Sequence, residues 1–240
     1  MKTISKLVLY AAFASLSSLA GAATIQITQT VPVWSNAVGG SDINYNNNNG
    51  QYVDVRWGDP ASFFGSQSGL GFNPANPPAG TYTSDTTFKL GDLRHYNNPV
   101  FAGTASSSVD LSLATTVTGA TPSQQGFAFR FLIDETPNQA PCTYPSPPNN
   151  PCADRITFQN LDLTSLFTVG GLPFTLQLLG FSDNGVNLAN SFISQEGSTN
   201  TIGLYARFTA PRQVPEPSSV ALIGIALMGL LMLRRCNRSF

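Results

Sequence analysis

The sequence reads as an all-β protein: an antiparallel β-sandwich of jelly-roll or Greek-key type, preceded by a signal peptide and followed by a transmembrane helix. Three observations predict the sandwich. Apolar residues in the body alternate with polar ones instead of recurring at helical spacing. The alternating runs are short and broken by Gly, Pro and Asn, with 21 Gly and 17 Pro in 240 residues, which suits many turns. Aromatic residues make up 10% of the chain, including 16 Phe, enough bulk to fill the space between two sheets.

The N-terminus carries an address rather than a fold. Lys2 and Lys6 precede an apolar stretch, Leu7–Ala14, and Ala20-Gly21-Ala22 follows as a small-residue site. This three-part pattern is that of a secretory signal peptide over residues 1–22, with cleavage expected after Ala22 or Ala23. Residues 23–212 are expected to form the sandwich domain. Thr24–Val33 and Tyr52–Trp57 are weak strand signals, followed by Thr86–Leu90. Val109, Leu111 and Leu113 alternate cleanly, as do Phe127, Phe129, Phe131 and Ile133. Arg155–Phe158 is weak again. Phe174, Leu176 and Leu178 form the next one-sided strand, and Ile202, Leu204, Ala206 and Phe208 the last. Leu161–Phe167 suggests one helical turn, and Asp183-Asn184-Gly185 a tight hairpin. The Asn-rich stretch 44–50 and the Asn/Pro/Ala-rich stretch 73–80 read as surface loops.

The C-terminus runs Val214-Pro215-Glu216-Pro217-Ser218-Ser219, then 14 apolar residues from Val220 to Leu233, then Arg234, Arg235 and Arg238. The apolar run is uncharged, and the arginines would hold the tail on the cytoplasmic side. Pro215, Glu216 and Pro217, the short apolar helix at 220–233 and the basic end resemble the PEP-CTERM domain over residues 213–240. The resemblance implies an exported substrate of exosortase, a membrane-embedded transpeptidase of Gram-negative bacteria that make exopolysaccharide. By it, Pro215–Pro217 is the recognition site, and the inner membrane and the secretion machinery are transient partners.

Without both ends, the body keeps seven basic and twelve acidic residues, a net charge of −5. That balance disfavours nucleic acid, whose phosphates need clustered Lys and Arg. Cys142 and Cys152 lie in the exported part and Cys236 in the tail, so an oxidising compartment pairs the first two.

Candidate chemistry is sparse. His95 is the only histidine, no Gly-x-Ser-x-Gly elbow is present, and zinc catalysis needs more than one His. Asp134-Glu135 is a pair of carboxylates, yet neighbours on a strand point to opposite faces and do not flank one bond. No enzyme is expected, and a secreted hydrolase is the least favoured alternative. Asp42-Ile43-Asn44-Tyr45-Asn46 opens like a calcium loop but has Asn47 where Gly is needed and Val53 where Glu is needed, so no EF-hand is expected. A structural calcium site built from scattered oxygens leaves no trace in sequence; no cofactor is expected. Trp57 is the candidate for a glycan contact, which makes a carbohydrate-binding module the main alternative.

The body also shows a resemblance. Val55-Arg56-Trp57-Gly58-Asp59-Pro60, Ser68–Phe72, Leu90–Val100, Phe131–Asn138 and Cys152-Ala153-Asp154 are similar to the THxN family of PEP-CTERM proteins and the related choice-of-anchor K domain. His95 and Asn97 occupy two positions of the naming motif, with Arg94 in place of its Thr. The resemblance implies no activity. The combined reading is a sorted cell-surface or extracellular-matrix protein with a structural or adhesive role, associated with exopolysaccharide.

Overall fold

Alternation in the sequence becomes pairing in space. The computed structural model describes residues 22–48, 52–75, 80–148, 151–161 and 166–210. The signal-peptide stretch 1–21 and the whole sorting segment, with Pro215–Pro217, the 220–233 run and its arginines, lie outside the described residues. No helix occurs among the described residues, and so none long and apolar enough to cross a membrane.

The strands are β1 (Thr24–Gly39), β2 (Asn44–Asn46), β3 (Val53–Trp57), β4 (Ser68–Pro74), β5 (Gly80–Thr83), β6 (Phe88–Asn97) and β7 (Ser106–Thr118). They continue as β8 (Ala120–Thr121), β9 (Gln124–Asp134), β10 (Asp154–Asn160), β11 (Phe167–Val169), β12 (Leu172–Ser182), β13 (Ser191–Ser194) and β14 (Ser198–Thr209). They form two curled antiparallel sheets in a sandwich-like arrangement. One has the order β13-β10-β9-β7-β1-β5, the other β2-β3-β4-β6-β14-β12-β11-β8.

The core is the set of inward positions of both sheets. Val109, Leu111 and Leu113 on β7 and Phe127, Phe129, Phe131 and Ile133 on β9 are buried from one side. Phe174, Leu176 and Leu178 on β12 and Leu204, Ala206 and Phe208 on β14 meet them from the other. Aromatic rings stitch the sheets together: ring centroids lie 6.5 Å apart for Phe131 and Phe181 and 6.2 Å for Phe127 and Phe167, while Trp34 packs on Phe131 at 5.7 Å within its own sheet. Each such side chain contributes about 1.5–3 kcal/mol by leaving water.

Bulges shift the phase of that alternation. On β1, Ile25 and Ile27 face inward, a register shift follows at Thr28, and from there the even-numbered Thr30, Pro32 and Trp34 are the inward set. On β12 an extra residue between Leu178 and Gly180 brings Phe181 into the core, although it is out of step with Leu176 and Leu178.

Three local expectations need correction. Asn184-Gly185 does not close a tight hairpin, because β12 pairs with β14 and not with β13. Asn184 Oδ1 instead accepts the amides of Val186 and Asn187, which organises a longer loop closed by a Phe181–Ala189 bridge. The Asn-rich stretch is not all loop: Asn44–Asn46 is an edge strand, and the Asn47 carboxamide pairs with Trp34 like a strand residue, accepting its amide at 2.9 Å and donating to its carbonyl at 3.1 Å. Phe167 opens β11 instead of ending a helical turn; residues 162–165 of that expected turn lie outside the described set.

Cys142 and Cys152 form a disulfide with a Cα–Cα distance of 5.1 Å. It closes the connection from β9 to β10, and Cys152 is buried. The closed loop is short and already stiffened by Pro145, Pro147, Pro148 and Pro151. Reduction, or the double change Cys142→Ser/Cys152→Ser, is therefore expected to cost about 2 kcal/mol, the low end for a native bridge. Urea unfolding with and without reductant measures it.

Candidate functional site

The end of the sandwich where β13 turns into β14 gathers most of the buried polar chemistry. The β13–β14 turn carries the chain from one sheet to the other. Strand β9 ends at Asp134, and alternation places Asp134 outward, where the Tyr144 hydroxyl donates to it and Arg155 Nη2 lies 3.3 Å away. The next residue, Glu135, turns the opposite way. Strand β10 begins at Asp154, which is fully buried and stands opposite Ser194 of β13. Two residues on, Glu196 sits in the turn that Gly197 closes at φ +71°, a conformation glycine adopts freely.

These three acids converge. One carboxylate oxygen from each of Glu135, Asp154 and Glu196 lies within 4.8 Å of the other two. Asp154 Oδ1 is held by the Thr136 amide at 2.8 Å and lies 3.2 Å from the Thr136 hydroxyl. Its Oδ2 has no hydrogen-bond partner, and neither do Glu135 Oε2 and both carboxylate oxygens of Glu196. The disulfide ends two residues before Asp154 and so ties the cluster to the β9–β10 connection.

Asn97 joins the group from the other sheet. Its Nδ2 donates to the Ser194 carbonyl at 3.0 Å, and its own carbonyl accepts the Gly197 amide at 2.7 Å, so it clamps both ends of the turn. Its side chain lies close enough to Asp154 to favour the ionised carboxylate there. Asn97 Oδ1 and Ser194 Oγ are buried without partners.

Burial dominates the electrostatics. Removal from water pushes Glu135 up to about 9, and the charges of Asp154 and Glu196 push the same way. Desolvation likewise raises Asp154 to about 6, against the pull of the Thr136 hydrogen bonds. It raises Glu196 to about 7, with the Asp154 charge adding to it. The ion pairs among the described residues use Asp54, Asp92, Asp110 and Asp134, so none brings a cation to these three acids. Glu135 also borders an open cleft lined by Val100, Phe101, Ser107, Ile133 and Asn138, which gives the cluster a route to solvent.

Other expected positions fare differently. Trp57 ends β3 and is fully buried, its ring 6.5 Å from that of His95. This corrects its assignment as a glycan contact: a ring inside the core presents no face to a sugar. His95 is fully buried too, makes no hydrogen bond through either nitrogen, and has its pKa lowered to about 3 by burial. Asn97 and His95 lie two apart on β6 and point inward together. In the sequence Glu135 stands out only beside Asp134 and Asp154 only within the Cys152-Ala153-Asp154 motif, while nothing marks Glu196. The available signal was compositional: with only 10% of residues charged, each acid beside an apolar strand is unusual.

Residues 213–235 match the family model of the PEP-CTERM protein-sorting motif. The chain carries an exosortase sorting signal. That signal implies an exported protein processed at the membrane, with exosortase as the processing partner. No curated protein matches the chain. That match lies wholly in the sorting segment and gives no support to the body resemblance to the THxN and choice-of-anchor K proteins.

Proposed function

We infer that this protein is a structural or adhesive component of a Gram-negative cell surface or extracellular matrix, delivered there by exosortase and associated with exopolysaccharide. The observation that carries the reading is the sorting motif at 213–235. In this reading residues 1–22 are removed on export and residues 23–212 form the delivered domain. Residues 220–233 hold the chain in the inner membrane, with Arg234, Arg235 and Arg238 inside. Processing then occurs near Pro215-Glu216-Pro217.

The body supports a passive role. Phe63 and Phe64, in the loop after β3, are 96% and 94% exposed, and Phe101 is 58% exposed. Such apolar side chains suit adhesive contact. No catalytic step is assigned, because the only histidine is buried and unbonded. Carbohydrate binding would have to use surfaces other than Trp57.

The test is the intact mass of the native protein from fractionated host cells, beside a variant with Pro215, Glu216 and Pro217 replaced by Ala. The wild type is expected at the surface or in the matrix without either end. The variant is expected in the inner membrane with Val220–Phe240 still attached. A wild-type protein that keeps its tail in the inner membrane overturns the reading and makes the domain a tethered periplasmic module.

A further inference from the structure

We propose that Glu135, Asp154 and Glu196, together with Asn97 Oδ1 and Ser194 Oγ, form a calcium site that locks the β13–β14 crossing between the two sheets. Three observations carry this. The first is convergence: three carboxylates from three separate segments place oxygens within 4.8 Å of one another. Like charges do not gather in a protein interior without something to hold them, because each loses hydration and repels the others. The ion pairs among the described residues supply no cation here.

The second observation is independent of the acids. Asn97 Oδ1 and Ser194 Oγ are neutral oxygens in residues with 0% exposure, and neither has a hydrogen-bond partner. Buried side-chain oxygens are nearly always bonded. Asn97 donates its Nδ2 to the Ser194 carbonyl, and its Oδ1 stays unbonded. Ser194 stands directly across from Asp154 in the β10–β13 register, on the same face. These two unbonded oxygens stand with three carboxylates that each keep at least one oxygen unbonded, a donor set that a cation would satisfy.

The third observation is the donor set. All five side chains offer oxygen, and no sulfur or imidazole takes part. Oxygen-only sites select hard cations, and a set able to supply more than six oxygens suits calcium better than magnesium, which keeps several of its waters. An exported protein also meets a compartment where weak calcium sites fill. The groups come from the end of β6, the β9–β10 connection, the start of β10 and the β13–β14 turn. A bound ion therefore joins both sheets and the cystine-closed connection at one point. The inference draws on export but not on exosortase processing or on a surface destination, since it involves no residue of the C-terminal segment.

The test uses the full chain, produced with export so that the Cys142–Cys152 bridge forms, then stripped with EDTA at pH 7. Calcium in excess of its Kd is expected to raise the Tm by about 5–10 °C for a domain of this size. Titration calorimetry should show one site. Asp154→Asn and Glu196→Gln are each expected to weaken calcium binding at least about tenfold and to abolish the Tm shift. Both variants, free of calcium, should melt at or above the stripped wild type, because a repelling charge has gone; loss of an ordinary structural hydrogen bond would lower it instead. If either variant fails to fold, Glu135→Gln, at the partly exposed edge of the cluster, gives the same readout. A stripped protein indifferent to calcium overturns the proposal. So do variants that keep the full calcium response, or magnesium giving an equal shift at equal concentration.

Discussion

Trp57→Ala is expected to destabilise the protein by about 3–5 kcal/mol, equivalent to a fall of about 6–20 °C in Tm. The ring is fully buried at the end of β3 against His95, and its loss opens a cavity that strand-borne neighbours cannot close. The conservative partner gives the mechanism. Trp57 Nε1 has no hydrogen-bond partner, so Trp57→Phe forfeits volume but no bond and should cost well under half as much. Chemical unfolding of the two variants separates them. Equal losses would show that the indole nitrogen matters and that a bridging water or other partner serves it. A wild-type-like Trp57→Ala would mean that the ring is not in the core at all.

Asn160→Ala is expected to cost about 2–3 kcal/mol, large for a small polar side chain. Asn160 ends β10 in one sheet, yet its carboxamide bonds to β12 in the other. Its Oδ1 accepts the Leu178 amide at 2.8 Å and its Nδ2 donates to the Leu178 carbonyl at 3.3 Å. Leu178 sits at the bulge, where the β12–β14 ladder is interrupted, so these backbone groups depend on the side chain. Removing it strands a buried donor and acceptor, at about 1–3 kcal/mol for each group fully deprived of a partner. Asn160→Asp restores the acceptor alone and should recover only part of the loss. Hydrogen exchange at the Leu178 amide reads the effect directly: protection should fall in Asn160→Ala and persist in Asn160→Asp.

Legibility in the sequence followed the simplicity of the local physics. Val109–Leu113 and Phe127–Ile133 were readable because strict alternation over an unbroken ladder leaves one solution for which face is buried. Phe181 and Trp34 were not, because each lies beyond a bulge, and one inserted residue reverses the parity on which the reading rests. Ser68–Pro74 was invisible to alternation for a different reason. Its residues from Ser68 to Phe72 are buried on both faces, so polar and apolar do not take turns. Its glycines are there for room: a Cβ on Gly69 would run into the Val55 carbonyl and the Arg56 side chain. The candidate site was the least legible part. Glu135, Asp154, Glu196 and Asn97 belong to segments brought together only by the crossing from one sheet to the other, and no spacing rule links them. The disulfide was readable because topology left two cysteines in the same oxidising compartment.

The lengths of the outermost strands have a consequence for how copies of this protein behave when crowded. The sheets end in β13 and β5, of four residues each, and in β2 and β8, of three and two. A free strand edge is a template on which a second chain can add a strand, and a long flat one invites fibrils. With so few charges, this surface has little repulsion to keep neighbours apart. These four ledges are too short to seat a foreign strand for more than a bond or two, and where β1 and β12 run past β5 and β11, side chains occupy backbone groups: Asn47 at Trp34, Tyr45 at Ala37 and Asn160 at Leu178. A domain packed densely at an envelope or in a polymer mesh can then remain a separate particle, its contacts made through loops and not by growth of the sheets.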